Sequence, residues 1–584
     1  MDRDRIISPR EIENFIADGQ LIVIFEGDVL KLNGFLNKHP GGHLAILHMV
    51  GRDATDEMKA YHFPATIKLM KAYRIGRIPS QPWTNLEPPL RGGVYGENTN
   101  VDTEKSDRDE ESAQSSTLPS LTTSSSSEDG EWDLEPEKDQ ETCTATVVEQ
   151  LMREKEDLPL ICTHRITFAA AIEEEEQYAP KSPILGVTKN LSRPAYMAAM
   201  EQKEIADGIR AYPSVDVGTQ RAIAMEYQAL HDRLEMEGFY QCRYSEYGKE
   251  MIRWTILFSS FLFLLNAKWY LASAILLGMF WQQIMFTAHD AGHRGITGNF
   301  ITDTIIGAFV ADFCCGLSIG WWKSSHNVHH LITNMPEHDP DLQNVPLFAT
   351  SPTYFKSIFS SFYDFTFVWD STADFLVPYQ KYTYYPVMAI ARFNLYLLSW
   401  LHLLSPRSQC LGSAWWTRHV ELAFMACYWF LFGYCLLWRT IPSWTLRVSF
   451  VLISHTVTML LHVQITLSHW GTSTADLGPT ESFAQRQLRT TMDVDCPPWL
   501  DWLHGGLQFQ AVHHLFPRVP RHNLRALQVL VREFCKKTQI EYQCHGFIDG
   551  NKIVLGRLEE VGKMVETLVK CQTHMAETGE SGLH

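Results

Sequence analysis

The apolar residues of this 584-residue chain fall into a few long runs separated by polar segments. The first run, 251–287, is too long for one membrane crossing and is interrupted at 266–268. It therefore predicts two tightly connected helices, each near the roughly 17 residues that a span requires. A second pair of helices is predicted over 417–437 and 444–467, with a proline-containing turn between them. Four spans would place the segment 288–416 and both chain ends on one membrane face.

A further apolar run, 383–404, contains Arg392 and Asn394. We interpret it as a helix at the membrane interface, because a fifth crossing would put the histidine clusters described below on opposite faces. The opening sequence, MDRDRIISPREIENF, has no apolar stretch, so we expect the internal runs to direct insertion. Basic residues lie mostly on the shared face, and the twelve cysteines form no C-x-x-C pair. Both observations indicate that this face is cytosolic.

The segment 81–204 is acidic and rich in serine and threonine, which predicts a disordered linker. The net charge of −17 comes largely from this tract, and for the folded parts we expect no nucleic-acid partner. Such a linker would let the first domain reach its acceptor at high effective concentration. The segment 205–250 has an amphipathic helical pattern before the first apolar run. It is typical either of a helix on the membrane surface or of a soluble helix packed on its neighbours.

Residues 1–80 predict a small separate domain. LIVIFEGDVLKL is typical of two short strands around a turn. His39 lies in an H-P-G-G loop before an apolar helical pattern, and His62 follows in ATDEMKAYHF. Taken alone, His39 is also explained as a chance residue in a tight turn. Two histidines on opposite helix-lined walls, however, suit a six-coordinate haem, whose axial positions take neutral imidazoles.

This first domain resembles cytochrome b5 over nearly all of 5–80. The resemblance implies a small α+β fold that binds haem b, with His39 and His62 as the axial ligands. It also implies one-electron transfer at an iron that is never open to substrate. Phe63 departs from the family pattern, in which a small residue usually follows the second histidine.

Three histidine clusters adjoin the predicted membrane segments. Their spacings of three and four residues place each cluster on one helix face. The members are His289 and His293; His326, His329 and His330; and Gln510, His513 and His514. A single histidine pair on a helix is more often a hydrogen-bonded surface feature than a metal site. Three clusters on one predicted membrane face favour a metal centre instead.

Seven clustered imidazoles exceed the tetrahedral ligand set of a mononuclear zinc site. Imidazole also suits iron, so we predict two non-haem irons. Gln510 is a poor iron ligand, and we expect it to hydrogen-bond a ligand or an iron-bound water. We expect His469 to complete the site, with His462 as the alternative. His504 is expected to be structural, whereas His338, with Asp339 and Asp341, either supports a ligand or forms a loop.

These motifs together resemble the membrane fatty-acid desaturases, and the resemblance covers most of the chain outside roughly 81–205. An N-terminal cytochrome b5 domain and glutamine at the head of the third cluster are features of their front-end branch. WWKSSHNVHHLITNMPEHDPDLQNVPLF, GGLQFQAVHHLFPRVPRHNL, YPSVDVGTQ and HVQITLSHW look most like the fungal sphingolipid Δ8-desaturases. The resemblance implies an all-α membrane domain over 251–584, with four transmembrane helices and a cytosolic histidine-rich cap. The whole chain would then be a multidomain protein.

The resemblance also implies the reaction. The enzyme would use O2 as co-substrate to desaturate the long-chain base of ceramide at C8–C9. Electrons would pass from a reductase of the cytochrome b5 reductase type to the haem, and then to the two irons. The protein would lie in the endoplasmic reticulum membrane, with both termini and the histidine clusters facing the cytosol. Three alternatives stay open: a Δ5 or Δ6 acyl desaturase, a di-iron lipid hydroxylase, and a membrane haem protein that only carries electrons.

Overall fold

The computed structural model describes residues 3–81, 83–95, 193–409 and 412–578. The predicted disordered linker lies outside the described residues from 96 to 192. The helices and strands below are numbered along the described chain.

A three-stranded antiparallel sheet packed against short helices forms the first domain. Its elements are α1 (Pro9–Ala17), β1 (Ile22–Phe25), β2 (Asp28–Lys31), α2 (His43–Leu47), α3 (Thr55–Tyr61), α4 (Pro64–Met70) and β3 (Arg74–Arg77). The predicted pair of strands is confirmed as β1 and β2. Glu26 and Gly27 connect them, and both have positive φ, 49° and 78°, which matches the twist of the strands on either side.

Two helices precede the membrane domain, α5 (Arg193–Ala211) and α6 (Val217–Met236). Helix α5 begins before the predicted linker boundary at 204, because Tyr196 and Met197 are buried in an apolar core shared with the last helix of the chain. Helix α6 begins after Asp216, whose carboxylate accepts a hydrogen bond from the Thr219 amide at 2.9 Å. Its apolar face is buried against the cap, so it is the packed soluble helix and not the membrane-surface helix.

The remaining elements form the membrane domain and its cap. In chain order they are α7 (Tyr244–Asn266), α8 (Tyr270–Gly292), α9 (Phe300–Ala308), α10 (Ile319–Leu331), β4 (Ile358–Ser360), β5 (Phe365–Phe367), α11 (Ser371–Leu376), α12 (Gln380–Leu404), α13 (Thr417–Trp429), α14 (Trp444–Val457), α15 (Met459–Leu467), α16 (Phe483–Arg489), β6 (Asp493–Asp495), α17 (Asp501–His504), α18 (Gln510–Leu515), α19 (Leu524–Thr538), β7 (Cys544–Gly546) and α20 (Phe547–Thr578). Segments of π-helix follow α9 (Phe309–Cys314) and α13 (Phe430–Thr440).

Four helical stretches in the described chain are long and apolar enough to cross a membrane, by length and composition. They are Tyr270–Gly292, Ser371–Leu404, Gly412–Thr440 and Trp444–Leu467. The number agrees with the prediction, but one member differs. Helix α7 is not among them, because charged residues occupy its first turns. The stretch that contains α12 meets the criterion of length and composition instead.

The run 383–404 forms one continuous helix, as predicted, and its position at the membrane interface stays a prediction. Arg392 is fully buried inside the helix bundle and does not face lipid. Its guanidinium donates to the Tyr396 hydroxyl at 2.8 Å and to the Cys315 carbonyl at 2.7 Å, and it lies 4.2 Å from the Trp281 ring. A buried cation with these partners does not break an apolar helix.

The first domain packs directly on the membrane domain. Its apolar core continues into Val328, Leu331 and Ile332 of α10 and the loop that follows. Helix α10 carries the second histidine cluster, so this packing brings the two predicted metal sites into neighbouring positions.

Candidate haem and metal centres

The two predicted haem ligands face each other across a cavity in the first domain. His39 follows a 3-10 turn and His62 caps the end of α3, with their ring centroids 6.0 Å apart. The Nδ1 atoms are hydrogen-bonded to backbone carbonyls, that of His39 to Gly42 at 2.8 Å and that of His62 to Met58 at 3.1 Å. Each Nε2 atom is thereby left available as a ligand.

The cavity fits a haem group. It has a volume of about 530 Å³ and is lined mainly by apolar side chains of the first domain. Burial lowers the pKa of His39, and burial together with His39 lowers that of His62 to about 3, so both imidazoles are neutral at physiological pH. At Gly41 a Cβ atom would lie 2.8 Å from Cε1 of His39, so only glycine allows this loop to approach the ligand ring.

The three histidine clusters converge where helices α8, α10 and α18 meet. One group brings together the imidazoles of His289, His293, His326 and His513, and a second brings together those of His329, His469 and His514. Within each group one nitrogen per residue lies within 4.8 Å of all the others. The clusters are far apart in sequence, so the site depends on the packing of the whole membrane domain.

His330 lies between the two groups. Its ring centroid is 4.0 Å from that of His514, 4.4 Å from that of His326 and 4.9 Å from that of His293. Its Nε2 atom is 2.9 Å from Nε2 of His326. His330 is therefore close enough to both groups to complete either one.

The buried imidazole nitrogens of these groups fit metal ions. The Nε2 atoms of His289, His293, His513 and His514 have no hydrogen-bond partner among the described residues. Burial and neighbouring imidazoles lower the pKa of His293, His326, His330, His469, His513 and His514. Neutral imidazoles with unpaired buried nitrogens are costly in free energy unless a cation binds them. Imidazole ligands suit iron among other transition metals.

His329 differs from the other histidines because it has a carboxylate partner. Its Nδ1 atom is 2.8 Å from Asp339 Oδ2 and 3.8 Å from Asp341. Burial alone would lower the pKa of His329, but these two carboxylates raise it to about 9. Asp339 is itself held by the amides of Asn334 and Asp341, at 2.8 and 2.9 Å. The contact orients the His329 ring and directs Nε2 into the second group.

Other polar partners orient the remaining ligands of the second group. His514 Nδ1 lies 2.9 Å from the side-chain oxygen of Gln487, and His469 Nδ1 lies 3.3 Å from the Thr490 carbonyl. The amide nitrogen of Gln487 also donates to the His330 carbonyl at 2.6 Å. Gln487 is a residue that the sequence reasoning missed, and no spacing pattern relates it to the histidines.

A buried ionic network supports the first group. Asp290, next to His289, accepts hydrogen bonds from Arg521 and Tyr247, and Arg521 also binds Glu250. This network ties the end of α8 to the loop after the third histidine cluster. The sequence reasoning missed it too, although both Asp290 and Arg521 lie within or near the quoted motifs.

The structure separates the other candidates from the two groups. Gln510 is buried next to the cluster, and its side-chain oxygen has no partner among the described residues. His462 belongs to neither group, and its Nδ1 lies 3.1 Å from the Met388 carbonyl. His504 Nδ1 contacts the Gln464 amide at 2.5 Å, and His338 Nδ1 contacts the Ser361 hydroxyl at 2.9 Å. Of the candidates for the last ligand, only His469 lies in a group.

A second cavity, of about 450 Å³, adjoins the histidine groups. His289, His326, His329, His469 and Gln510 form part of its wall. Apolar side chains of α12 and α15 form another part, including Leu395, Leu398, Leu461 and Ile465. The cavity therefore offers an apolar chain a position directly beside the histidine nitrogens.

The sequence comparisons agree with this arrangement. Residues 267–546 match the family described as "Fatty acid desaturase", and residues 8–79 match the "Cytochrome b5-like Heme/Steroid binding domain". The first match encloses all the clustered histidines, and the second encloses both haem-site histidines.

Three relatives, each named "Delta 8-(E)-sphingolipid desaturase", match nearly the full length. The protein of Emericella nidulans is 43% identical over 100% of this chain and 99% of its own. That of Kluyveromyces lactis is 44% identical over 98% of this chain and 95% of its own. That of Candida albicans is 41% identical over 98% of both chains. The chain is thus an oxidoreductase of the membrane fatty acid desaturase family, in the group that carries an N-terminal cytochrome b5 domain and includes the fungal Δ8-(E)-sphingolipid desaturases.

Proposed function

We propose that this enzyme introduces an E double bond between C8 and C9 of the long-chain base of ceramide. The observation that carries the substrate is the full-length similarity to relatives named for this activity. The reaction removes two hydrogens from a –CH2–CH2– unit, consumes O2, two electrons and two protons, and releases two molecules of water. The apolar cavity beside the histidine groups suits this chemistry, because an alkyl chain bound there would lie against the nitrogens.

The two histidine groups would hold two non-haem irons. His289, His293, His326 and His513 would bind one, and His329, His469 and His514 the other. His330 lies within reach of both. Bound iron supplies the activation of O2 that the cleavage of unactivated C–H bonds requires.

The task of the protein is to position the substrate and to exclude water. Leu395, Leu398, Leu461 and Ile465 would hold the alkyl chain at one depth, so that a single pair of carbons faces the histidines. The cavity would end before the luminal face, with the head group near the cytosolic interface. Gln510 would direct its unpaired oxygen toward a ligand or a water near the metals.

Electrons would enter at a haem b held by His39 and His62. We assign their supply to a reductase of the cytochrome b5 reductase type. We also propose that the protein lies in the endoplasmic reticulum membrane, with both termini and the histidine clusters on the cytosolic face. A feature that supports the electron path is the wall of the haem cavity, which includes His293 of the first histidine group.

The proposal is tested by expression in a yeast strain that lacks the activity, followed by analysis of its long-chain bases. The expected result is the appearance of 8,9-unsaturated bases of E geometry, which the His513→Ala variant does not produce. Altered polyunsaturated acyl chains with saturated bases would instead indicate an acyl desaturase. A hydroxylated base would indicate a hydroxylase.

A further inference from the structure

Phe63 lies at the contact between the first domain and the membrane domain. It directly follows the haem-site residue His62, where the cytochrome b5 pattern usually has a small residue. Its ring contacts two cations, with the guanidinium carbons of Arg294 and Arg518 at 4.9 and 4.7 Å from its centroid. The neighbouring backbone approaches so closely that a Cβ atom at Gly298 would lie 3.2 Å from the ring.

Arg518 also binds the end of the helix that carries His62. Its side chain is buried, and it donates to the carbonyls of Ala60 and Lys59, both at 2.9 Å. These are free carbonyls at the C-terminus of α3, where a cation is favourable. Arg518 thus contributes both a cation–π contact and two hydrogen bonds to the same surface.

Both cations are adjacent to predicted iron ligands. Arg294 directly follows His293, and Arg518 lies shortly after His514. In the same contact, the Tyr61 ring lies 6.1 Å from the His330 ring, measured between centroids. Residues on either side of His62 therefore contact segments that hold the first, second and third histidine clusters.

We propose that Phe63 is a docking residue, which keeps the first domain seated on the histidine cluster in the position from which it delivers electrons. The long linker was expected to let a free domain search for its acceptor. The cation–Phe63–cation contact indicates instead that the domain works while seated. The delivery of electrons rests on the proposed function, whereas the docking contact can be tested without it.

Opening of the contact can be measured at Ala60. This residue is fully buried in a core that it shares with Tyr227 of α6 and with Phe483 and Phe516 of the cap. An Ala60→Cys variant of the full-length, haem-loaded protein in detergent would be alkylated at that position only when the first domain lifts away. Labelling is followed by mass spectrometry of the peptide that contains position 60, so the natural cysteines do not interfere.

The Phe63→Leu variant removes the aromatic ring but keeps an apolar side chain, whereas Phe63→Trp keeps the cation–π contacts. In the Ala60→Cys background, the loss of two such contacts predicts about a tenfold faster labelling of position 60 in Phe63→Leu. Labelling of Phe63→Trp should stay within about twofold of the parent, because tryptophan is the strongest cation–π partner.

Arg294→Met should also accelerate the labelling of position 60. Arg210→Met is the control and should not accelerate it, because it removes an exposed arginine that pairs with Asp207 on its own helix. Equal labelling rates in Phe63→Leu, Phe63→Trp and the parent would overturn the docking role.

A disulfide can lock the domain in its seated position. A Cβ atom at Gly412 would lie 3.7 Å from Cβ of Lys38, within the range for a disulfide bond. Gly412 has a φ of +81°, which strains a cysteine there, so formation of the disulfide is verified by mass spectrometry first. Lys38→Cys and Gly412→Cys are combined with Cys410→Ser, because Cys410 is close in sequence. Once the disulfide forms, labelling of position 60 should become slow in the Phe63→Leu variant as well.

The locked protein also tests electron delivery. NADH and a cytochrome b5 reductase reduce its haem repeatedly, so that the haem can pass on the two electrons that each double bond requires, and the protein is given O2 and ceramide. Product formation within about twofold of the unlocked protein supports delivery from the seated position. A locked protein whose haem is reduced but which forms no product would overturn it, provided that the unlocked protein forms product. If the unlocked protein is also inactive, the proposed function fails, whereas the labelling result still decides the docking role.

Discussion

The haem site and the histidine cluster are built in different ways. The candidate haem site takes both proposed ligands from one short stretch, 39–62, inside a small domain. The cluster takes its proposed ligands from four separate segments between 289 and 514, joined only by the packing of the membrane domain. A local site follows from the spacing of residues in one domain. A distributed site exists only when the whole fold is correct.

The two sites also differ in what orients the ligands. In the haem site, backbone carbonyls hold both Nδ1 atoms. In the cluster, the side chains of Asp339 and Gln487 hold two of the histidines. Backbone partners cannot be removed by substitution, but side-chain partners can. The cluster should therefore be sensitive to substitutions of residues that bind no metal.

The largest expected effects are losses at one site that leave the other site intact. His513→Ala should lower the rate of desaturation by more than the roughly 100-fold that is typical when a residue supporting a metal ligand is lost. It should leave the haem spectrum unchanged. His39→Ala should remove the haem spectrum and leave non-haem iron in place. Spectroscopy and iron analysis of the two purified variants check this. Loss of haem in His513→Ala would show that the sites are not independent.

The next effect concerns the last ligand of the second group. His469→Ala should lower the non-haem iron from two atoms per haem to about one, because its group is left with two histidines. His462→Ala is the matched control, since His462 is buried nearby but lies outside both groups. Metal analysis of both variants distinguishes them. If iron is lost in His462→Ala and retained in His469→Ala, the assignment is reversed.

A smaller effect is expected at Asp339, which orients His329 without binding metal. Asp339→Asn should lower activity or iron affinity by about 10- to 100-fold, the range typical for such partners. Asp341→Asn should have less effect, because Asp341 is 3.8 Å from the His329 nitrogen whereas Asp339 is at 2.8 Å. The measurement is the rate of iron release to a chelator. Equal rates in both variants would contradict the role of Asp339.

The smallest effect concerns the face where the first domain meets α6. Asp56 is buried there and accepts a hydrogen bond from Gln228 at 2.7 Å. Burial, together with Glu57, raises the pKa of Asp56 to about 8 from an ordinary value of 3.8. The folded state thus holds a proton that the unfolded chain releases. This contribution to stability is complete below about pH 4 and is lost as the pH rises toward about 8.

Asp56→Asn removes this titration. Between about pH 5 and pH 8, the melting temperature should therefore fall less in the variant than in the parent protein. Asp207→Asn, at an exposed position on α5, serves as the control and should follow the parent. Parallel pH profiles for Asp56→Asn and the parent would contradict the proposed burial of a protonated carboxyl.

Residue spacing predicted the local features well. Helical spacing placed the histidines of each cluster on one face, and the strand pattern predicted β1 and β2. The helical hairpins followed from apolar runs with clear breaks. These features depend on residues that are close together in the chain, and the sequence shows the spacing of such residues directly.

Features that depend on distant partners were not predictable in this way. The burial of Arg392 inside the helix bundle depends on hydrogen bonds to the Cys315 carbonyl and the Tyr396 hydroxyl. The position of His330 between two groups, and the support from Asp339 and Gln487, depend on loops that meet only in the folded chain. The role of Phe63 became clear only when its two cations were located. The sequence shows that Phe63 departs from the cytochrome b5 pattern, but the contacts that explain this residue are visible only in the structure.

We propose that the histidine cluster holds two irons that receive electrons from the haem. The most direct test is the ratio of non-haem iron to haem in the purified full-length protein, with haem measured by its absorption spectrum and total iron by elemental analysis. We expect two non-haem irons per haem in the parent and a clear loss in His513→Ala. A protein that contains haem iron alone would contradict it and would identify the chain as a membrane electron carrier.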